Sequence, residues 1–170
     1  MKEINEKIER LDSWSKEKQG LSVEWVENQS RERNRYFKQG EIYTCVVGEN
    51  IGSEIRGHER DGEEIAHVRP VIVISDTRYN RNGLVVVIPL TSTLRVEEDP
   101  DVEGRMRPKI KHQYILKKNN YSNLKNDSIV STGQIKTVSS IRLKKYIGTL
   151  TETDLAGVKN RVKTFFGLEG

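Results

Sequence analysis

Apolar residues change their spacing near residue 40. Before it, Ile4, Ile8, Leu11 and Trp14 recur three or four positions apart among charged residues, the spacing of one face of an amphipathic helix. Gly20 is expected to interrupt this helix, and Val23, Trp25, Val26, Tyr36 and Phe37 form a second, weaker apolar pattern before Gly40. Beyond Gly40 the apolar runs are short, and loops rich in Gly, Asn, Asp and Pro separate them. They predict strands over 42–47, 68–75, 84–91, 114–117, 128–134 and 143–147. No helix-length connection lies between successive strands, so the pairing should be antiparallel, in a barrel or a tightly curled sheet. Near the C-terminus, Thr151-Glu152-Thr153-Asp154 has the form of a helix N-cap with acids in the first turn. Leu155, Val158, Val162 and Phe165 follow at helical spacing and should seal one end of the sheet.

Two of the strands carry polar residues where burial is expected. Arg69 opens Val68-Arg69-Pro70-Val71-Ile72-Val73-Ile74-Ser75, and Thr91-Ser92 closes Val85-Val86-Val87-Ile88-Pro89-Leu90-Thr91-Ser92. Strands this apolar are buried on both faces, so a cation and two hydroxyls at their ends point to polar groups gathered at a rim, a candidate phosphate site. The loops 48–67 and 93–112 are each about twenty residues, longer than a compact domain leaves without purpose, and could flank a ligand groove.

Composition narrows the class. A chain of 170 residues with 34% hydrophobic content can bury one modest core, read here as a helical extension over 1–38 and a barrel domain over 39–170. No apolar run is long enough to span a bilayer and the N-terminus is charged, so a soluble cytoplasmic protein without a membrane role is expected. Cys45 is the single cysteine, and His58, His67 and His112 lack a ligand spacing, so neither a disulfide nor a metal or other cofactor is expected.

The net charge of +4 conceals an asymmetry, because residues 41–104 hold 6 basic and 13 acidic side chains while 105–148 hold 11 and 1. Arg105, Arg107, Lys109, Lys111, Lys117, Lys118 and Lys125 are the footprint expected of a surface that meets a polyanion, with nucleic acid as the leading partner. The competing reading is a solvated loop that answers the acidic block beside it.

The order of short motifs resembles the MazF/PemK family, the toxin halves of bacterial toxin-antitoxin pairs, over roughly residues 39–168. The resemblance rests on Gly40-Glu41-Ile42-Tyr43, Ile51-Gly52-Ser53-Glu54, Val68-Arg69-Pro70-Val71 and Pro89-Leu90-Thr91-Ser92. Downstream, Asn126-Asp127-Ser128, Gly133-Gln134-Ile135-Lys136-Thr137, Ile141-Arg142-Leu143 and Phe166-Gly167-Leu168 fall in the family's order. It implies a mostly β fold with helices (α+β), an SH3-like small β-barrel of the PemK/CcdB type. It also implies a homodimer, neutralised by a cognate antitoxin protein, that cuts single-stranded RNA without a metal and leaves 2′,3′-cyclic phosphate and 5′-hydroxyl ends.

The family's catalytic arginine and hydroxyl match Arg69 and Thr91. A guanidinium suits the negative charge that builds on phosphoryl oxygens, and a hydroxyl can donate to a non-bridging one. For RNA binding the resemblance adds Ser53, Glu54, Ser92, Gln134 and Lys136, and the basic block adds Lys109 and Lys111. An amide can read base edges and a lysine can meet phosphate. The group that takes the 2′-hydroxyl proton stays open among water, His67 and His112. The chain departs from the family by inserting residues 55–67, expected to form a mobile flap, and by its N-terminal extension. The rival readings are a CcdB-like toxin that binds gyrase and an inert RNA-binding regulatory module. The same fold can serve any of the three.

Overall fold

A computed structural model describes residues 1–58 and 67–168. Most of the inserted segment, residues 59–66, lies outside the described residues, and with it the expected flap. Among the described residues nine strands and three α-helices form. Strands β1 (Glu41–Val46), β2 (Val68–Val73) and β3 (Leu84–Thr91) are the centre. After them come β4 (Val96–Glu98), β5 (Met106–Pro108), β6 (Tyr114–Leu116), β7 (Ser128–Val130), β8 (Lys136–Ser139) and β9 (Leu143–Thr149).

Seven strands make one antiparallel, curled sheet, six of them in the order β6-β7-β3-β2-β1-β9 and the seventh, β8, paired with β3. Strand β3 has two partners along its outer edge: Leu84 to Val87 pair with β8, and Leu90 and Thr91 pair with β7. That division turns the sheet on itself. Alternation then sorts the side chains into two cores. Ile42, Ile72, Ile88 and Leu90 join the core that Leu155, Val158 and Val162 cover, and Cys45, Val71, Val73, Val85 and Val87 join Phe37 and Leu143 on the other face. Central strands buried on both faces must read as unbroken apolar runs, which is why the sequence shows them.

Helix α3 (Glu152–Phe166) starts where the cap motif predicts, with the Thr151 hydroxyl accepting from the Asp154 amide at 3.1 Å. Only part of its stripe seals the core. Val158 is fully buried, whereas Phe165 is 41% exposed and lies against His112.

Strand boundaries depart from expectation at three places. The run 128–134 is strand only to Val130 and then a 3-10 turn over Thr132–Gln134. The expected loop 93–112 contains the β4–β5 hairpin, and β8 is a strand of its own. These strands are three or four residues long and mix polar with apolar side chains, so they offer too little periodicity to read.

The N-terminal segment departs further. Helix α1 (Lys2–Glu27) passes through Gly20 without a break, and α2 (Gln29–Arg33) ends before Tyr36 and Phe37. A glycine inside a helix costs about 1 kcal/mol against alanine, and docking on both sides of Gly20 offsets it. Of the expected stripe only Trp14 docks, and Ile4, Ile8 and Leu11 are exposed. The two tryptophans of the chain each cap a glycine in a left-handed turn. A Cβ on Gly48 (φ +91°) would lie 2.4 Å from the Trp14 ring, and one on Gly83 (φ +77°) 2.2 Å from Trp25. Arg142 covers the Trp14 ring at 5.3 Å. Polar pairs line the same helix face: Lys7 and Arg10 with Glu49, Glu17 with His67, and Glu24 with Lys144. Next to it, buried Glu32 accepts from Ser140 at 2.8 Å and Arg35 at 3.0 Å, tying α2 to the sheet. No helix among the described residues is long and apolar enough to cross a membrane.

Because both tryptophans sit on α1, their fluorescence reports its docking. Trp25→Ala should lower stability by roughly 2 to 3 kcal/mol and leave Trp14 emission with a urea transition at lower denaturant than wild type. An unchanged midpoint would show that α1 adds nothing to the fold.

Candidate active site

The two residues singled out at the strand ends line one cavity. Arg69 is the second residue of β2 and only 8% exposed. Its Nε donates to the Arg56 carbonyl at 2.7 Å and its Nη1 to the Leu90 carbonyl at 2.9 Å. These bonds fix the guanidinium plane between the first loop and the end of β3. Thr91 is half-buried at the last position of β3, and its Oγ1 accepts from the Thr93 amide at 3.2 Å, which leaves the hydroxyl proton to be donated elsewhere. Arg69, Leu90, Thr91, Ser92 and Lys125 line one cavity of about 150 Å³, and His58 completes its rim.

Thr91 is also shared with a wider groove of about 720 Å³, whose walls include Ser53, Arg95, His112, Gln113, Gln134 and Phe165. Narrow cavity and wide groove therefore share one residue, Thr91. In the groove, His112 Nδ1 lies 2.8 Å from the Thr132 hydroxyl, which itself donates to the His112 carbonyl. Thr132 thus has no proton left for the ring, so Nδ1 carries the hydrogen and donates it. The ring stands 4.9 Å from Phe165, centroid to centroid. The basic block divides. Arg105 pairs with Asp99 at 2.9 Å, Arg107 with Glu97 at 2.8 Å and Lys117 with Asp127 at 3.2 Å. Lys109 and Lys111 form no ion pair among the described residues and line a separate basic recess with Arg107 and Arg161.

The other expected site residues fall differently. Ser92 is exposed at the narrow cavity and Ser53 is on the groove wall. Gln134 is in the groove, but its Oε1 accepts from the Ile55 amide and its Nε2 donates to the Ser53 carbonyl, each at 3.2 Å. It clasps the first loop, so the amide expected to read bases is engaged. Glu54 accepts from the Ile51 amide at 3.1 Å, closing its own turn. Lys136 is not brought to the site; it lies in a recess with Trp14 and Arg142, where burial holds its pKa below the usual lysine value. His67, weighed as a base, is 7% exposed and bonded to Glu17 at 2.7 Å. The sequence reading missed Arg95, Gln113 and the exposed face of Phe165. For Phe165 the signal was present, because it is the last member of a helical stripe next to the helix end. Among the described residues no group of three or more His, Cys, Asp or Glu could hold a metal ion.

The sequence matches the family of PemK-like, MazF-like toxins of type II toxin-antitoxin systems over residues 38–166. The chain belongs to this family. Relatives include the endoribonuclease MazF of Staphylococcus epidermidis, 25% identical over 132 residues that cover 78% of this chain and 92% of the relative. The same enzyme of Staphylococcus saprophyticus is 25% identical over 133 residues, with the same coverage. Among solved structures, MazF from Deinococcus radiodurans superposes with a TM-score of 0.53 at 17% identity, covering 79% of this chain and 99% of that one. An endoribonuclease in complex with its cognate antitoxin from Mycobacterial species gives 0.51 at 20%, covering 79% and 98%. At such identity these likenesses concern the fold. The matched MazF-like region begins after α1 and α2, so the extension that braces the first loop lies outside it.

Two consequences of this bracing can be measured. Gly57 is pressed against the chain entering β2, where an added Cβ would lie 1.8 Å from the His67 carbonyl oxygen. Gly57→Ala should displace the loop, lower stability by more than about 2 kcal/mol and weaken any activity that needs Arg69; native stability would show the glycine to be dispensable. Glu49 has a fully buried side chain. Burial alone would raise its pKa, but the Lys7 hydrogen bond and charge, with Arg56 and Arg10, outweigh it and hold the value below the ordinary 4.5. A carboxyl depressed in the folded state stabilises above its unfolded pKa, and that contribution is lost as pH falls through the folded value. Glu49→Gln should therefore be less stable than wild type at pH 7, and the gap between their urea midpoints should close as the pH is lowered well below 4.5. A gap that persists in acid would exclude the ion cluster as its cause.

Proposed function

We propose that the endoribonuclease activity of this MazF-like toxin cuts single-stranded RNA selectively, without a metal, by attack of a 2′-oxygen on the adjacent phosphate. The products are a 2′,3′-cyclic phosphate and a 5′-hydroxyl. The observation that carries this reading is the convergence of Arg69 and Thr91 on one small cavity. A phosphate in that cavity meets a fixed guanidinium, whose positive charge opposes the charge developing on the phosphoryl oxygens. Thr91 donates its free hydroxyl proton to one of those oxygens. Because Thr91 lines both the cavity and the wide groove, this reading places a base next to the phosphate in the groove. There the Phe165 and His112 rings offer a face for stacking, and Arg95 and Gln113 offer polar edges. The basic recess with Lys109, Lys111 and Arg161 supports a path for further phosphates.

The same reading takes the protein to be a homodimer neutralised by an antitoxin protein. The family description and the antitoxin complex of the mycobacterial endoribonuclease support the antitoxin. The homodimer rests on the family resemblance.

The test is incubation of the purified protein with mixed-sequence single-stranded RNA in EDTA, followed by mapping of fragment ends. Wild type should give cyclic-phosphate ends. Arg69→Lys keeps the charge but loses the planar fork, and Thr91→Val keeps the shape but loses the hydroxyl; each should cut at least ~100-fold more slowly. Intact RNA with wild type would favour the gyrase-binding or inert RNA-binding reading. Cleavage that survives both substitutions would place the chemistry elsewhere.

A further inference from the structure

The reaction above needs a group to accept the 2′-hydroxyl proton, and the two histidines weighed from the sequence are poorly placed for it. His67 faces Glu17 and the Trp14 ring, 5.8 Å away between centroids, beneath α1. His112 lies on the wall of the wide groove, fixed by Thr132 and Phe165, and does not line the cavity that holds Arg69. His58 does line that cavity, with Arg69 and Thr91.

Its position is built into the backbone. His58 and Val68 form an antiparallel bridge with reciprocal bonds, His58 amide to Val68 carbonyl at 3.0 Å and Val68 amide to His58 carbonyl at 3.1 Å. Val68 immediately precedes Arg69. The Gly57 amide donates to the Gly48 carbonyl at 2.9 Å, and Arg56 supplies the carbonyl that holds Arg69 Nε. Three consecutive residues, 56 to 58, are therefore locked against the strand that carries the guanidinium. The cavity of about 150 Å³ is small, and His58, Arg69 and Thr91 all lie on its wall, so a phosphodiester bound in it faces all three.

Resting on the endoribonuclease reading, we infer that His58 is the general base of the reaction, a catalytic residue supplied by the segment that this chain inserts after the first loop. The neutral imidazole takes the proton from the 2′-hydroxyl as the 2′-oxygen bonds to phosphorus. The bond from phosphorus to the 5′-oxygen breaks, that oxygen takes a proton from water, and His58 returns its proton to solvent. Imidazole suits this transfer because it gains and loses a proton near neutral pH.

The experiment measures kcat/KM from pH 5 to 9 in EDTA on a single-stranded RNA carrying a mapped cleavage site, for wild type, His58→Gln and His112→Gln. Unfolding midpoints check that the variants fold; the backbone bridge to Val68 does not involve the imidazole. Wild type should rise about tenfold per pH unit on its acid limb and level off within the histidine range of about 5 to 8. His58→Gln should be about 100-fold to 10,000-fold slower and lose that limb, while His112→Gln keeps it. A second substrate has sulfur in place of the 5′-oxygen, a leaving group that needs no proton. The His58→Gln deficit should persist on it, because a missing base still limits attack. The inference is overturned if folded His58→Gln keeps the acid limb, if His112→Gln removes it instead, or if the sulfur substrate restores the His58→Gln rate. A wild-type protein that cuts no RNA would overturn the endoribonuclease reading, and this inference with it; that result is distinct from Arg69-dependent cleavage that ignores His58.

Discussion

Burying the Arg69 guanidinium is the constraint on which the rest of this molecule turns. A cation out of water is costly unless its N–H groups are taken up, and here carbonyls from two separate elements take up two of them. The Leu90 carbonyl belongs to the neighbouring strand, whose position the sheet sets. The Arg56 carbonyl belongs to a loop, and a loop holds its place only if something holds the loop. Gln134 clasps it at Ser53 and Ile55, Gly57 allows its backbone to close on His67, and His58 bridges to Val68. Each contact is modest. Together they hold a loop carbonyl as firmly as a strand carbonyl.

The N-terminal helix belongs to the same chain of support. Glu49 is in the first loop, and Lys7 and Arg10 from α1 reach it together with Arg56. One carboxylate thus ties the helix to the residue whose carbonyl accepts from Arg69. Breaking such a buried cluster on one side is far costlier than never having made it, since a charge is then left without a partner. The tryptophans do the complementary work. They supply apolar area over two glycine turns, where a side chain on the sheet would have kept the helix away.

The sequence disclosed what periodicity and local chemistry can encode. The central strands were legible because burial on both faces demands unbroken apolar runs, and α3 was legible because its cap chemistry is local. The pairing of Arg69 with Thr91 could be anticipated from their places at strand ends. The docking face of α1 could not be, since its partners are glycines and charged residues whose role appears only when the chain folds back. Ile4, Ile8 and Leu11 looked like the buried stripe, yet Trp14 alone of that set docks. Gln134 shows the same limit from another side. An amide near a candidate site suggests base reading, and nothing local announces that two loop backbone groups take it up. His58 was not weighed as a base for a similar reason: it has no spacing relation to Arg69, and the backbone bridge that brings it there spans the insertion.

Charge supplies the last step of the argument. Had all the cations between residues 105 and 125 faced solvent unpaired, the protein would present a broad positive surface, and RNA affinity would rest on unselective counterion release. Asp99, Glu97 and Asp127 neutralise three of them. The acidic block is thus partly an internal answer to the basic one, and both readings of the charge pattern hold for different residues. Four of the seven stay without an ion pair among the described residues: Lys125 at the narrow cavity, Lys109 and Lys111 in their own recess, and Lys118. If RNA binds as proposed, a surface so divided gains less from each additional phosphate and depends more on the few groups around Thr91. On the proposed reading, discrimination among RNA sequences falls to the groove walls, where aromatic faces and polar edges, unlike lysines, differ in what they offer each base.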